Sequence, residues 1–175
     1  ALVRASSNVD VLRECGAELA VGDLTDRESI RQAMEGVTCV LHCGGLVSDW
    51  GTWRQFQEAN VDGTRHVVEA ALDCGIERLV HLSSAAVYGY PRLESIDENQ
   101  SLRSRRLPYI ATKIAAEQAV RQAHRDHGLP VVMLRPVMVF GPRCPTYVGE
   151  IVLHLRRGSM VLLDGGRHVA GLAGG

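Results

Sequence analysis

Three runs decide the fold: RLVHL at 78–82, PYIATKIAAEQAVRQAHRDHG at 108–128, and VVMLR at 131–135. The first and third are short, apolar and rich in β-branched residues, the signature of buried strands. The middle run opens on a proline suited to a first helical turn and closes on Gly128, so it reads as a long helix. Two strands separated by a helix of that length cannot form a hairpin. They must be joined by a right-handed crossover and lie parallel in a sheet covered by helices.

The same alternation extends outward on both sides. ALV (1–3) is a strand stub, and Ser7 or Asn8 offers an N-cap to a short helix with Val9 and Leu12 inward, closed by Gly16. ELAVGD (18–23) is a strand, and Thr25 with Glu28 has capping-box spacing, predicting a helix over 25–35 that ends at Gly36. VTCVLHC (37–43) is continuously apolar, as in strands buried on both faces. A loop, GGLVSDWG, leads into a helix over about 52–74 with Trp53, Phe56, Asn60, Val67 and Ala71 at helical spacings. The turn-rich segment 91–106 is read as solvated, and a weaker helix (about 146–157) and strand (160–163) follow Arg135. The fold class is α/β, a doubly wound parallel sheet. Residues 1–175 are expected to form one partial domain whose last 30 or so residues lead into a substrate-binding region.

Composition excludes several functions. The chain of 175 residues can bury roughly 70% of its unfolded surface, so it needs no disulfide or metal staple. Nineteen basic against twenty acidic residues give a net charge of −1, which leaves no nucleic-acid footprint. No apolar run reaches membrane-spanning length, and the first residues lack a signal-peptide pattern. Five cysteines without a C-x-x-C pair point to a reducing cytoplasm. Cys39 and Cys43 fall on one face of their strand and His42 on the other, so core packing is preferred to a metal site.

In an open parallel sheet, ligands bind beyond the carboxyl ends of the strands. Those ends here carry Arg4, Ser6 and Ser7; Asp23; His42 to Gly45; Ser83 and Ser84; and Arg135 with Pro136. The sharpest pattern is Tyr109-x-x-x-Lys113, since four residues turn a helix about 400° and leave phenol and ammonium within roughly 40° of each other. A lysine charge nearby lowers a phenol pKa from about 10 and fits the tyrosine to move a proton to or from an alcohol or carbonyl oxygen. Ser84, 25 residues before Tyr109, offers a hydroxyl to the same oxygen. Trp50 and Trp53 either border the substrate or seal the loop to its helix.

The ordered strings GDLTD, HCGG, NVDGT, LSSAAVYG, PYIATK and RPVMVFGP resemble the extended short-chain dehydrogenase/reductases, over about residues 1–145. These are Rossmann-like NAD(P)-dependent epimerases and dehydratases, with 3β-hydroxysteroid dehydrogenases and dihydroflavonol reductases as relatives. The resemblance implies that Tyr109 is the catalytic acid/base, that Lys113 lowers its pKa and holds the nicotinamide ribose, and that Ser84 orients the substrate carbonyl. Asn60 would support a water in a proton relay. Asp23 and Leu24 would meet the adenine ring, and His42, Cys43, Gly44 and Gly45 would let the cofactor approach the backbone. Ser83, Pro136 and Val139 would complete the cofactor contacts. Arg4, with Ser6 and Ser7, favours the 2′-phosphate of NADP over NAD. The implied activity is hydride transfer between nicotinamide and a secondary alcohol or ketone. A sugar-nucleotide epimerase or dehydratase is the nearest alternative, and a non-catalytic dinucleotide-sensing module is the alternative from another class. The helices at 52–74 and 108–127 form a dimerising bundle in many relatives, which makes a homodimer plausible by analogy. The partner otherwise expected is a small-molecule substrate, with neither nucleic acid nor a membrane.

In that family a strand and a glycine-rich turn precede the ALVR strand, and no G-x-G-x-x-G or G-x-x-G-x-x-G stands there in this sequence. The expectation is a fragment lacking the first βα unit and the C-terminal substrate region. The absent strand would lie mid-sheet, and its glycines cradle the pyrophosphate. The 175-residue chain should therefore bind NAD(P)H more weakly than micromolar in a fluorescence titration, and a micromolar dissociation constant would refute this.

Overall fold

The computed structural model describes residues 1–48, 50–89, 96–104, 106–141, 147–161, 165 and 172–174. Two compact units emerge, 1–135 and 136–175. The first contains β1 (Leu2–Val3), α1 (Asp10–Glu14), β2 (Ala20–Val21), α2 (Arg27–Ala33), β3 (Cys39–His42) and α3 (Trp53–Phe56). A π-helical segment (Gln57–Asp62) continues α3 into α4 (Gly63–Asp73). β4 (Arg78–Leu82), a 3-10 turn (Ala85–Tyr88), α5 (Pro108–His127) and β5 (Val131–Leu134) complete it. The second unit holds β6 (Met138–Phe140), α6 (Tyr147–Arg156) and β7 (Leu172–Gly174).

Local chemistry sets the helix ends. Thr52 and Gln55 close a reciprocal capping box at the start of α3. At the end of α5, Gly128 adopts φ +69°, a left-handed cap that a residue with a Cβ resists. The capping box expected at Thr25 does not form. The Thr25 hydroxyl donates to Asp23 Oδ1 at 2.8 Å, and the Asp26 carboxylate caps α2 by accepting from the Glu28 and Ser29 amides.

Every strand pair is parallel. β1 pairs with β2, and β3, β4 and β5 form a second sheet in that order, with Leu41 opposite Val80 and Val80 opposite Val132. Between the β1 and β3 edges lies a hollow of about 1050 Å³ lined by residues of both. The core fills the other side of the three-stranded sheet, where Leu79 packs with Ile30, Val67, Ala71, Val120 and Leu129. This is an open, parallel α/β arrangement, divided into two sheets. In the second unit β6 pairs with β7.

Three expectations need correction. β3 is not buried on both faces: Val40 and His42 turn toward the helices, while Cys39, Cys43 and Leu41, the last 69% exposed, face outward. α2, α4 and α5 cover one face of the β3–β5 sheet, and the opposite face, with Val132 and Leu134 also exposed, is uncovered by any described element. Packing in the core is therefore not what occupies Cys39 and Cys43. The sequence pattern places no element between Arg135 and the helix expected from about 146, yet β6 lies there. Conversely, residues 160–161 of the expected strand are irregular, and 162–163 lie outside the described residues, as do Cys144 and residues 91–95 of the polar segment.

The one-sided sheet has a measurable consequence. Leu79→Ala should cost about 2–5 kcal/mol, because it opens a cavity in a closed core, whereas Leu41→Ala should stay within about 0.5 kcal/mol. Urea denaturation of the two variants checks this ordering.

Candidate active site

The carboxyl end of β4 is where the chemistry gathers. Lys113, from the second turn of α5, is 7% exposed and donates to the Leu82 carbonyl at 2.6 Å. Leu82 is the last residue of β4, so the ammonium sits at the strand end two residues before Ser84. Ser84 caps the 3-10 turn, its Oγ accepting from the Ala86 amide at 3.2 Å, and that turn packs on α5. Tyr109 stands one helical turn before Lys113, half-buried, with the Phe56 ring edge-on at 6.5 Å. Burial pushes the Lys113 pKa down, while Glu117 and Cys43 oppose that shift. Lys113 is also the only lysine in the chain, against eighteen arginines. Arginine serves every other basic position. Only at this one is a compact ammonium used, the group whose pKa responds to burial.

Beneath it is a second buried ionic group. Glu117, 0% exposed, accepts a fork from Arg135: Nε to Oε1 at 2.8 Å and Nη2 to Oε2 at 2.7 Å. Arg135 Nη1 also donates to the Tyr88 hydroxyl at 2.6 Å. Burial opposes ionisation of Glu117, but Arg135, Ser83 and Arg121 outweigh it and hold the carboxyl below its ordinary range. Ser83 Oγ is buried beside this carboxylate without completing a hydrogen bond of good geometry.

Asn60 organises the neighbouring wall. Its Oδ1 accepts from the Leu46 amide at 2.6 Å, and its Nδ2 donates to the Leu46 carbonyl and to Thr112 Oγ1. The side chain thus ties the 44–47 turn to α5 between Tyr109 and Lys113. A Cβ on Gly45, whose φ is +156°, would come within 2.8 Å of Asn60 Oδ1, and one on Gly44 would come equally close to Leu24 Cδ1. At Gly45, with its positive φ and the bonded Asn60 amide beside it, a Cβ is resisted, whereas at Gly44 the Leu24 side chain would have to shift.

Arg4 and Asp23 meet at the ends of β1 and β2. Asp23 Oδ1 accepts from both the amide and the hydroxyl of Thr25, and these bonds, with the charge of Arg4, lower its pKa. Arg4, Asp23 and Leu24 line one side of the large hollow, and His42, Cys43, Gly44 and Gly45 line the other. Pro136 and Val139 belong to the second unit, where Val139 pairs with Ala173 across β6 and β7. Trp50 and Trp53 are 87% and 54% exposed, so neither seals the loop.

Residues 1–162 match the family model described as "NAD dependent epimerase/dehydratase family". The chain belongs to that family. It is 35% identical over 172 residues to a 4-hydroxy-2-methyl-3-oxo-4-farnesyl-3,4-dihydroquinoline-1-oxide ketoreductase of Stigmatella aurantiaca, covering 97% of this chain and 51% of the relative. A 2-alkyl-3-oxoalkanoate reductase of Stenotrophomonas maltophilia is 34% identical, at 91% and 49% coverage. Among solved structures, a dTDP-glucose 4,6-dehydratase of Streptomyces venezuelae with NAD bound superposes with a TM-score of 0.85 at 27% identity, covering 99% of this chain and 57% of that one. The chain spans about half the length of the curated relatives it matches. The relatives it matches are thus named as reductases and a dehydratase, and among the described residues no helix is long and apolar enough to cross a membrane.

Sequence reading missed Glu117, Tyr88 and His81. The first had a signal: Tyr109, Lys113 and Glu117 continue one spacing of four. His81 had none, because a histidine inside an apolar strand looks like any core residue. Its ring lies 5.3 Å from that of His42, whose Nε2 contacts Thr64 Oγ1 at 3.0 Å, while neither nitrogen of His81 has a partner among the described residues. Burial, then neighbouring charge, lowers His42 to about 4 and His81 to about 3, so both are neutral in the folded chain.

An unfolded histidine takes up its proton near pH 6.5, so below that pH the unfolded state binds more protons and stability falls with acidification. Between pH 7 and 5 the loss should be about 2 kcal/mol per histidine. His81→Leu should remove about half of this pH-dependent component, as read by urea denaturation at each pH.

Proposed function

We propose that the protein is an NAD(P)-dependent oxidoreductase that interconverts a ketone and a secondary alcohol. The carrying observation is the Lys113 ammonium buried at the end of β4, one helical turn from Tyr109 and two residues from Ser84. A bound nicotinamide would exchange hydride with the substrate carbon. Tyr109 would move the proton at the substrate oxygen, its phenol made more acidic by the adjacent ammonium. Ser84 would donate to the same oxygen and fix its direction. Asn60, whose side-chain amide is fully bonded, would hold the 44–47 turn and α5 in register and support a relay from that position.

The cofactor fits the hollow chemically. Gly44 and Gly45 line it with bare backbone, and Asp23 with Leu24 offers an acceptor and an apolar edge for adenine. In this reading Ser83 lines the nicotinamide end. Arg4 supports NADP, through pairing with a 2′-phosphate, while the solved dehydratase described above carries NAD.

An oxo compound with an apolar body is favoured over a sugar nucleotide as substrate. Val47, Trp50, Trp53 and Leu107 are all exposed on the loop and helix ends flanking Tyr109, and such a rim suits hydrocarbon. The two curated relatives described above are named for farnesyl and alkyl oxo compounds. The second reading, a sugar-nucleotide epimerase or dehydratase, is supported by the dehydratase fold match. The remaining proposals are that the last 30 or so residues open the substrate-binding region, that the enzyme works in the cytoplasm, and that it dimerises through α4 and α5.

Tyr109→Phe in the full-length gene product should lower turnover about 10²–10⁴-fold with cofactor binding retained. Unchanged turnover would overturn the catalytic assignment and favour a sensing module.

A further inference from the structure

Tyr109, Lys113 and Glu117 occupy successive turns of one face of α5, and the charge they carry alternates with depth. The phenol is half-buried, the ammonium nearly closed off, and the carboxylate wholly so. We propose that Glu117, clamped by Arg135, is a positioning residue that keeps the Lys113 ammonium charged and aimed at the carboxyl end of β4. This rests on the reading of Tyr109 and Lys113 as the catalytic pair.

The surroundings of Lys113 leave the task to Glu117. His42 faces it from β3 and His81 from β4, both neutral; Cys43 faces it from the end of β3; Tyr109 and Glu117 lie on its own helix. Of these only Glu117 carries a fixed negative charge. A buried ammonium with one strong acceptor, the Leu82 carbonyl, otherwise loses its proton readily. Glu117 in turn stays ionised in the core because Arg135 saturates both of its oxygens, with Arg121 Nη2 at 3.8 Å as a second cation.

The clamp also sets geometry. Arg135 follows β5, Glu117 sits on α5, and Tyr88 ends the turn that Ser84 begins. One guanidinium therefore fastens together the elements that present Ser84, Tyr109 and Lys113. A salt bridge serving stability alone would fix the same elements, so the two roles must be separated by a sign. Loosened packing lets water reach Lys113 and raises its pKa toward the ordinary value. Loss of a supporting charge lowers it further.

Lys113, as the sole lysine, gives one resolvable signal when the chain is grown on lysine labelled with ¹³C at Cε. Its titration midpoint in Glu117→Gln should fall by about one pH unit or more, and Glu117→Asp should restore most of the loss. If Glu117→Gln leaves Arg135 stranded and fails to fold, Glu117→Gln/Arg135→Gln removes both partners, and its midpoint should also fall. A midpoint that stays or rises in whichever variant folds overturns the proposal. In the full-length enzyme the alkaline limb of the pH–rate profile should move to lower pH in the same variant. The titration needs no activity, so a Tyr109→Phe result that removes the catalytic reading leaves this measurement interpretable.

Discussion

A desolvated ammonium at the end of a parallel strand constrains nearly everything around it. Lys113 is too buried to be solvated by water and holds one short bond to a backbone carbonyl. The chain meets that cost by placing neutral imidazoles on the sheet side and a carboxylate one turn deeper in the helix. The carboxylate then requires its own counter-charge, which is why Arg135 stands at the end of β5. Each buried charge is compensated by the next, and removing any one strands its neighbour.

The divided sheet follows from hydrogen-bond accounting. β1 and β3 have paired neighbours on one side only, and their other edges border the same hollow. Both are short edge strands, two and four residues long, so few unpaired backbone groups face the hollow. Its volume, about 1050 Å³, is at the upper end of ligand-pocket sizes. The walls are already differentiated. Arg4 and Asp23 put charge at the β1–β2 end, whereas Gly44 and Gly45 leave bare backbone at the β3 end.

Periodicity made the helices and most strands legible. Thr52 with Gln55, Pro108 and Gly128 announce their helix ends by residue type alone, and the structure uses them so. Burial was less legible, since a continuously apolar strand looks the same whether one or two layers cover it. Leu41 and Cys39 are exposed because no described element covers that face, a tertiary fact that no local pattern encodes. β6 was lost for a related reason. Among the described residues it pairs with β7, Met138 lying opposite Leu172, 34 positions later, so nothing nearby marks it as a strand. At the candidate site, Tyr109, Lys113 and Ser84 could be named from spacing, but the ionic group below them depends on contacts eighteen and forty-seven residues apart.

The histidine pair explains how a charge can be tolerated in this lining. Hydrocarbon at positions 42 and 81 would deepen the desolvation of Lys113, and charged side chains there would repel it. A neutral imidazole avoids both, being polar without a net charge. That state is secured by burial itself, which holds His42 to about 4 and His81 to about 3. The same burial leaves both nitrogens of His81 without partners among the described residues, a defect that would be expensive to keep for stability alone. The ring lies 5.3 Å from that of His42, and both act on Lys113 from the strand side, so the lining there is polar and carries no net charge.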